Sequence, residues 1–126
     1  MSSPEDRVVV TATGDGLDAQ VDPRFGRAAW FLLVNLSSGN VEQAVDNADG
    51  VAAMQGAGVR AAEVVARLGA GALITGHCGP KAFRALQSAG VDVFTGADGT
   101  VASAIASFRD GGLDRADGAD VVQHWA

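Results

Sequence analysis

The segment 75–81, Thr-Gly-His-Cys-Gly-Pro-Lys, places a soft ligand, an imidazole and a cation within seven residues. A Cys78 thiolate suits copper(I), and the His77 imidazole suits copper or iron. Adjacent side chains in an extended loop point apart, so the pair does not predict a nucleophile and its base. Cys78 is the one cysteine of the chain, which rules out an internal disulfide. A buried loop cysteine beside a capping histidine is the alternative interpretation.

Gly79 and Pro80, directly after the cysteine, predict an anion site that does not depend on the thiol. Pro80, directly after Gly79, is typical of the first residue of a helix. The start of a helix presents free backbone N–H groups and the positive end of the helix dipole, which together attract anions. Lys81 adds a cation, and Gly76 permits a close turn before it. The alternative is that the glycines only form the turn.

A second basic segment contains Arg24 and Arg27, which flank Phe25 and Gly26. The chain has a net charge of −6, so two arginines on one loop favour local capture of an anion. Such binding weakens as salt screens the charges. The alternative is that they are solvated arginines paired with aspartates, and Phe25 is either a loop anchor or a wall of the site. A general nucleic-acid binder would show a basic face, and none is predicted.

Two further candidates lie in the glycine-containing segment 49–58. The Met54 thioether is a soft, weak ligand at a loop tip, although methionine more often fills a core. Gln55 adjoins it. His124 and Trp125 lie near the end of the chain, where the sequence assigns them no role.

The hydrophobic pattern predicts the elements that hold these residues. Hydrophobic residues make up 48% of the 126 residues and charged ones 19%, which argues for one ordered domain. We expect that domain to span residues 1–113, with a tail over 114–126. The predicted strands are 7–13, 29–36, 41–45, 72–75 and 91–94, and the predicted helices are 59–68, 80–89 and one from residue 101 to the glycines at 111–112.

This order of elements predicts a sheet and the edge of it that binds ligand. A hairpin followed by right-handed crossovers gives a five-stranded mixed sheet flanked by helices, an α/β fold. Ligands of such sheets bind outside the carboxyl ends of the parallel strands. Those ends carry the loops 14–27, 76–79 and 95–99, and the segment 49–58 could close over them.

The first six residues are polar and acidic, and no apolar run reaches the ~20 residues of a membrane span. They lack the basic and apolar regions of a signal peptide. We therefore expect a cytoplasmic monomer that binds neither membrane nor nucleic acid.

Several motifs recur in the order of a known family: residues 22–28 (DPRFGRA), 74–83 (ITGHCGPKAF), 89–91 (AGV) and 96–101 (GADGTV). Over about 8–113 the chain resembles the dinitrogenase iron–molybdenum cofactor-binding domain family. It is most similar to members from sulfate-reducing bacteria that hold a mixed molybdenum–copper sulfide cluster without covalent attachment. The resemblance implies a ribonuclease H-like fold. Many members have histidine where this chain has Arg24, so a histidine-ligand role cannot be transferred to that position. This departure weakens the iron–molybdenum interpretation and favours electrostatic binding. The resemblance implies a molybdenum–copper sulfide cluster as the cofactor, with an iron–molybdenum-type cluster as the alternative.

The expected function is non-enzymatic binding, assembly or carriage of an anionic molybdenum–sulfur cluster. A regulatory protein–protein interaction module, with the cluster as a sensor or absent, is the alternative. A thiol enzyme would require Cys78 as a thiolate, and a nuclease would require clustered carboxylates that the first strand lacks. Cys78 is a candidate metal ligand that the site does not require. The predicted cofactor-binding residues are Arg24, Phe25, Gly26, Arg27, Met54, Gln55, Gly76, His77, Gly79, Pro80 and Lys81.

Overall fold

A mixed sheet of five strands forms the centre of the fold in the computed structural model, which describes residues 6–116. Its order is β3-β2-β1-β4-β5: β1, β4 and β5 are parallel, and β2 is antiparallel to both β1 and β3. The predicted mixed sheet with flanking helices is confirmed. The elements in chain order are β1 Arg7–Ala12, β2 Trp30–Asn35, β3 Val41–Asp46, α1 Ala48–Ala52, α2 Ala57–Leu68, β4 Ala72–Ile74, α3 Pro80–Ser88, β5 Asp92–Phe94 and α4 Val101–Arg109.

Hydrophobic cores cover both faces of this sheet. The β-branched run of β1 is fully buried, and its side chains alternate between the two faces. Val9 faces the core formed with α2 and α3, whereas Val8 and Val10 face the core formed with α4. Burial on both faces explains why the run 8–10 of β1 is continuously apolar rather than alternating.

The segment 49–58 differs from its prediction as a loop, because the short helix α1 occupies its first part. Gly50 is unfavourable within a helix and made this element hard to predict. The Asp46 carboxylate compensates by accepting a hydrogen bond from Ala48 N at 2.7 Å. α2 begins at Ala57, two residues earlier than predicted, after Gly56 with its positive φ of 77°.

The predicted polar loop after β1 turns back and pairs with the strand that it leaves. Thr13 N donates to Gln20 O, and Asp22 N donates to Thr11 O, each at 2.9 Å. The same segment covers the start of α4, because Val101 N donates to Ala19 O at 2.9 Å. The first turn of α4 is therefore already hydrogen-bonded within the protein.

The described start of the predicted tail lies beside the edge strand β5. Ala116 N donates to Val93 O at 2.7 Å, and Arg115 lies 3.8 Å from the Asp92 carboxylate. The rest of the tail, with His124 and Trp125, lies outside the described residues. Within residues 6–116, none of the helices combines the length and the apolar character that crossing a membrane requires.

A buried hydroxyl pair connects the ends of β1 and β4. The Thr11 hydroxyl lies 2.8 Å from the carbonyl oxygen of Asp22 and 2.9 Å from the Thr75 hydroxyl, and both threonine side chains are fully buried. Thr11 thus holds the loop after β1 against the loop after β4.

Replacing Thr11 with valine keeps the side-chain shape but removes both hydrogen bonds. We expect the free energy of unfolding to fall by about 1–3 kcal/mol, since a buried hydroxyl and a carbonyl lose a partner. Urea denaturation measures this loss. The control is Thr13→Val at an exposed threonine whose oxygen accepts from Gln20 N, where water can replace the bond. Equal midpoints for the two variants would contradict the structural role of Thr11.

Candidate functional site

Two loops lie side by side at the carboxyl ends of β1 and β4. His77 N donates to Pro23 O at 2.7 Å, and Phe25 N donates to His77 O at 3.2 Å. This short parallel pairing places Arg24 opposite His77, and both residues are exposed. The structure therefore brings the two predicted segments, 22–27 and 75–81, into one surface.

Gly76 permits this close approach. A Cβ atom at position 76 would lie 2.6 Å from the Cα atom and 2.8 Å from the carbonyl oxygen of Pro23. Both are backbone atoms, which cannot turn aside as a flexible side chain could. Gly76 thus contributes to the site by having no side chain.

Asp22 fixes the turn that carries Arg24, and sequence reasoning did not select it. Its buried carboxylate accepts hydrogen bonds from Arg24 N and Ala29 N, each at 3.2 Å. An aspartate before a proline is typical of a turn in which the side chain bonds to the following backbone. That signal was present in the sequence.

The first turn of α3 presents backbone donors to this surface. Gly79 precedes the helix in an extended conformation (φ −75°, ψ 168°), and no side chain caps it. Pro80 is the first helical residue and has no N–H. Among the hydrogen bonds of the described residues, the N–H groups of Lys81 and Ala82 find no protein acceptor. The predicted helix start with unused amides is present.

A second uncapped helix start lies beside the first. No side chain caps α2 at Gly56. A Cβ atom on Gly26 would lie 2.7 Å from Gly58 N, and one on Gly58 would lie 3.1 Å from the Ala82 side chain. The loop after β1, the start of α2 and the start of α3 therefore touch one another. By contrast, Thr100 caps α4 by accepting from Ser103 N at 3.1 Å.

The Cys78 side chain lies in the core and not on this surface. It is 1% exposed, packs among the residues between the sheet and the helices α2 and α3, and has Sγ 3.7 Å from Gly79 O. Phe25 is 2% exposed, and its ring centroid lies 5.9 Å from that of Phe31. Phe25 anchors the loop from inside. Over residues 6–116, no three His, Cys, Asp or Glu side chains group so that they could hold a metal ion.

The remaining predicted residues lie at the rim. Arg27 Nη1 lies 3.3 Å from the carbonyl oxygens of Gly50 and Val51, and it also donates to Ala53 O. The Met54 side chain is 95% exposed, so it does not fill the core. Gln55 is exposed beside it.

Two surface cavities lie elsewhere on the molecule. One of about 200 Å³ is lined by Arg7, Asp92 and Phe108 among others, at the opposite end of the sheet. Another cavity, of about 300 Å³, lies between α1 and α2. Neither is lined by residues 22–27 or 75–82. We use the name cradle for the open surface formed by the loop 22–27, the start of α2 at 56–58 and the segment 75–82. We favour the cradle over the two cavities as the binding site because the backbone N–H groups of Lys81 and Ala82 are there.

The chain belongs to the dinitrogenase iron-molybdenum cofactor family, whose model matches residues 6–111. This confirms the resemblance inferred from the motifs.

Among solved structures, the chain is similar to the apo form of the orange protein from Desulfovibrio gigas. The two are 46% identical with a TM-score of 0.90, over 95% of this chain and 100% of the other. A NifB candidate from Thermotoga is 35% identical with a TM-score of 0.74, over 86% of this chain and 91% of that one. An uncharacterized protein from Methanocaldococcus jannaschii, MJ0580, is 28% identical over 98 residues, which are 76% of this chain and 82% of that protein.

Substituting Gly76 with alanine tests the contact between the two loops. We expect a loss of about 1–3 kcal/mol in the free energy of unfolding, because the new methyl group overlaps the backbone of Pro23. Thermal or urea denaturation measures it. Gly16→Ala is the matched control, since a Cβ atom there meets nothing within 4 Å. If both variants unfold alike, the close approach at Gly76 does not hold the loops together.

Proposed function

We propose that this protein binds, assembles or carries an anionic molybdenum–sulfur cluster without acting as an enzyme. The cluster is a mixed molybdenum–copper sulfide held mainly by non-covalent contacts. The observation that carries the proposal is the meeting of two uncapped helix starts at Gly56 and Gly79, on the surface that also bears Arg24 and Lys81.

The donors of this surface fit an anion with many weak acceptors. The amides of Lys81 and Ala82 can donate to cluster sulfurs, and the dipoles of α2 and α3 favour negative charge by about 0.3–1 kcal/mol each. Arg24 and Lys81 supply exposed cations around the rim. When bound, the cluster would supply its own metal–sulfur chemistry, and the protein would hold it in the cradle.

The family and its solved relatives support the coarser part of this proposal, the binding of a molybdenum-containing cofactor. The family is named for the iron–molybdenum cofactor, and one relative was solved as an apo form, which implies that it binds a further group. Arg24 in place of a histidine weakens the case for an iron–molybdenum-type cluster and favours electrostatic binding. The ribonuclease H-like fold, the single domain over 1–113, the cytoplasmic location and the monomeric state remain predictions.

Reconstitution tests the proposal directly. Apoprotein is mixed with tetrathiomolybdate and a copper(I) salt, desalted, and analysed for colour, molybdenum and copper. We expect a coloured species that elutes with the protein at a fixed metal ratio. Colour that elutes only with the small molecules would end the carrier proposal.

The cationic contribution is tested by Arg24→Ala and by the double variant with Lys81→Ala. Exposed charges contribute about 0.2–1 kcal/mol each, so we expect Kd to rise up to about fivefold for the single variant and about 2- to 30-fold for the double variant. The effect should shrink at high ionic strength. Arg67→Ala is the matched control, because Arg67 is exposed in the last turn of α2, at the far end from the cradle. Equal losses for Arg24 and Arg67 would contradict a local cation site.

The backbone donors are tested by Gly79→Asp. The φ and ψ of Gly79 suit any residue, and an aspartate at this position caps a helix well. We expect stability to be kept or raised by roughly a few tenths of a kcal/mol, since glycine is itself a fair N-cap. Cluster retention should fall, because the carboxylate occupies the amides and repels the anion. Gly79→Ala, which adds no acceptor, should retain more cluster. Full retention by Gly79→Asp would exclude the helix start from the site.

A regulatory interaction module is the second candidate, and exposed apolar side chains favour it. Val51, Met54 and Val59 are 49%, 95% and 36% exposed beside the cradle. In this case protein purified from its host would carry no metal, and partner binding would not respond to cluster loading. A thiol enzyme is not favoured because Cys78 is 1% exposed. Alkylation as fast as that of a free thiol would contradict this burial.

A further inference from the structure

Two side chains join the loop after β1 to α1 in a reciprocal manner. The side-chain amide of Asn47, before α1, donates to Ala28 O at 2.8 Å and to Gly26 O at 3.3 Å. In return, Arg27 donates to carbonyl oxygens of Gly50, Val51 and Ala53 at the end of α1. Each segment thus supplies a side-chain donor to the backbone of the other. We call these contacts the Arg27–Asn47 clamp.

The contacts of Arg27 are those of a helix cap and not of an exposed anion ligand. The last carbonyls of a helix lack partners within the helix and carry the negative end of its dipole. α1 has no basic residue in its last turn, so the Arg27 guanidinium provides the missing cation. Arg27 is partly buried, whereas Arg24 is exposed.

The clamp is connected to the cradle through backbone contacts. The residues that it holds, 50–53, lead through Met54 and the positive-φ Gly56 into the first turn of α2. On the other side of Arg27, Gly26 lies against Gly58 in that same turn. We therefore expect a shift of α1 to displace both the exposed Met54 and the uncapped start of α2.

We propose that Arg27 is a positioning residue that fixes α1 and the Met54 loop at the rim of the cradle, and that it does not itself contact the cluster. The clamp keeps the start of α2 in place and the Met54 loop close to the bound anion. This role rests on the proposed function, but the clamp itself can be measured in the apoprotein.

The first experiment uses hydrogen–deuterium exchange of the apoprotein. Val51 N donates to Asn47 O, and Ala53 N donates to Gly50 O, so exchange of these amides reports on α1. We expect Arg27→Ala to accelerate their exchange about tenfold, as loss of the cap favours local opening, and Asn47→Ala to do the same. Arg24→Ala is the control and should leave the exchange unchanged. Unchanged exchange in Arg27→Ala would refute the clamp.

A further variant probes the clamp without touching a charge. A Cβ atom on Gly50 would lie 2.4 Å from Oδ1 and 2.5 Å from Nδ2 of Asn47, whose amide is held by its two hydrogen bonds. Gly50→Ala should therefore displace Asn47 and accelerate exchange over 50–53. Gly16→Ala, with open space around it, should not. Equal exchange in these two variants would contradict a role for Asn47.

The second experiment separates positioning from direct contact, using the molybdenum–copper sulfide formed by reconstitution. Arg27→Gln keeps side-chain N–H donors but loses the charge, and Arg27→Lys keeps the charge but loses the planar fork. If Arg27 positions the loop, Arg27→Gln retains more cluster than Arg27→Ala. The salt dependence of cluster binding by both variants then equals that of the wild type. If Arg27 contacts the anion, Arg27→Gln and Arg27→Ala lose cluster alike, and the salt dependence of binding is weaker in both than in the wild type. Arg27→Lys is the charge-preserving reference, since it supplies a cation in either case.

The two experiments fail in different ways. If wild-type protein takes up no cluster while Arg27→Ala accelerates exchange, the proposed function is wrong and the clamp is a purely structural device. If wild-type protein takes up cluster and Arg27→Ala changes neither exchange nor salt dependence, the positioning role is wrong and the proposed function stands.

Discussion

The contact between Gly76 and Pro23 is the constraint on which the site depends. It allows the loops after β1 and β4 to pair through backbone hydrogen bonds of 2.7 and 3.2 Å. Below it, the Thr11 and Thr75 hydroxyls connect the same two strand ends in the core. Parallel neighbours in a sheet bring their carboxyl ends together, but this backbone contact makes two separate loops into one surface. Arg24 and the start of α3 are adjacent as a consequence.

The sequence predicted the sheet and its order of elements because burial on two faces leaves a clear pattern. Val8, Val9 and Val10 of β1 are β-branched, apolar and fully buried, and the amphipathic periods of α2 and α3 match their packing. It did not predict α1, since a five-residue helix containing Gly50 has little intrinsic stability. α1 forms because Asp46 and Arg27 supply side-chain partners to its first and last turns, and because Asn47 ties its start to Ala28 O. The Arg27 contacts come from a residue more than 20 positions away, so the sequence of α1 itself does not indicate them.

Within the site, the sequence identified the segments but not which way their side chains face. Reasoning on extended loops predicted that His77 and Cys78 point apart, and the exposure of His77 and burial of Cys78 agree. Nothing local decides which of the two lies inside, because that depends on the helices packed over the loop. The same holds for Phe25, which lies in the core, beside Arg24, which does not. Asp22 was missed although its turn signal is local.

The arrangement of charge bears on how a cargo could be released as well as held. The chain carries a net charge of −6, so an anionic cluster meets overall repulsion and only local attraction at the cradle. Amides and cations bind such a cluster without forming a bond between protein and metal. Transfer would then require only that these weak contacts be exchanged for those of an acceptor. A thiolate ligand would add a bond to break, and the core position of Cys78 is consistent with the proposed role as a carrier.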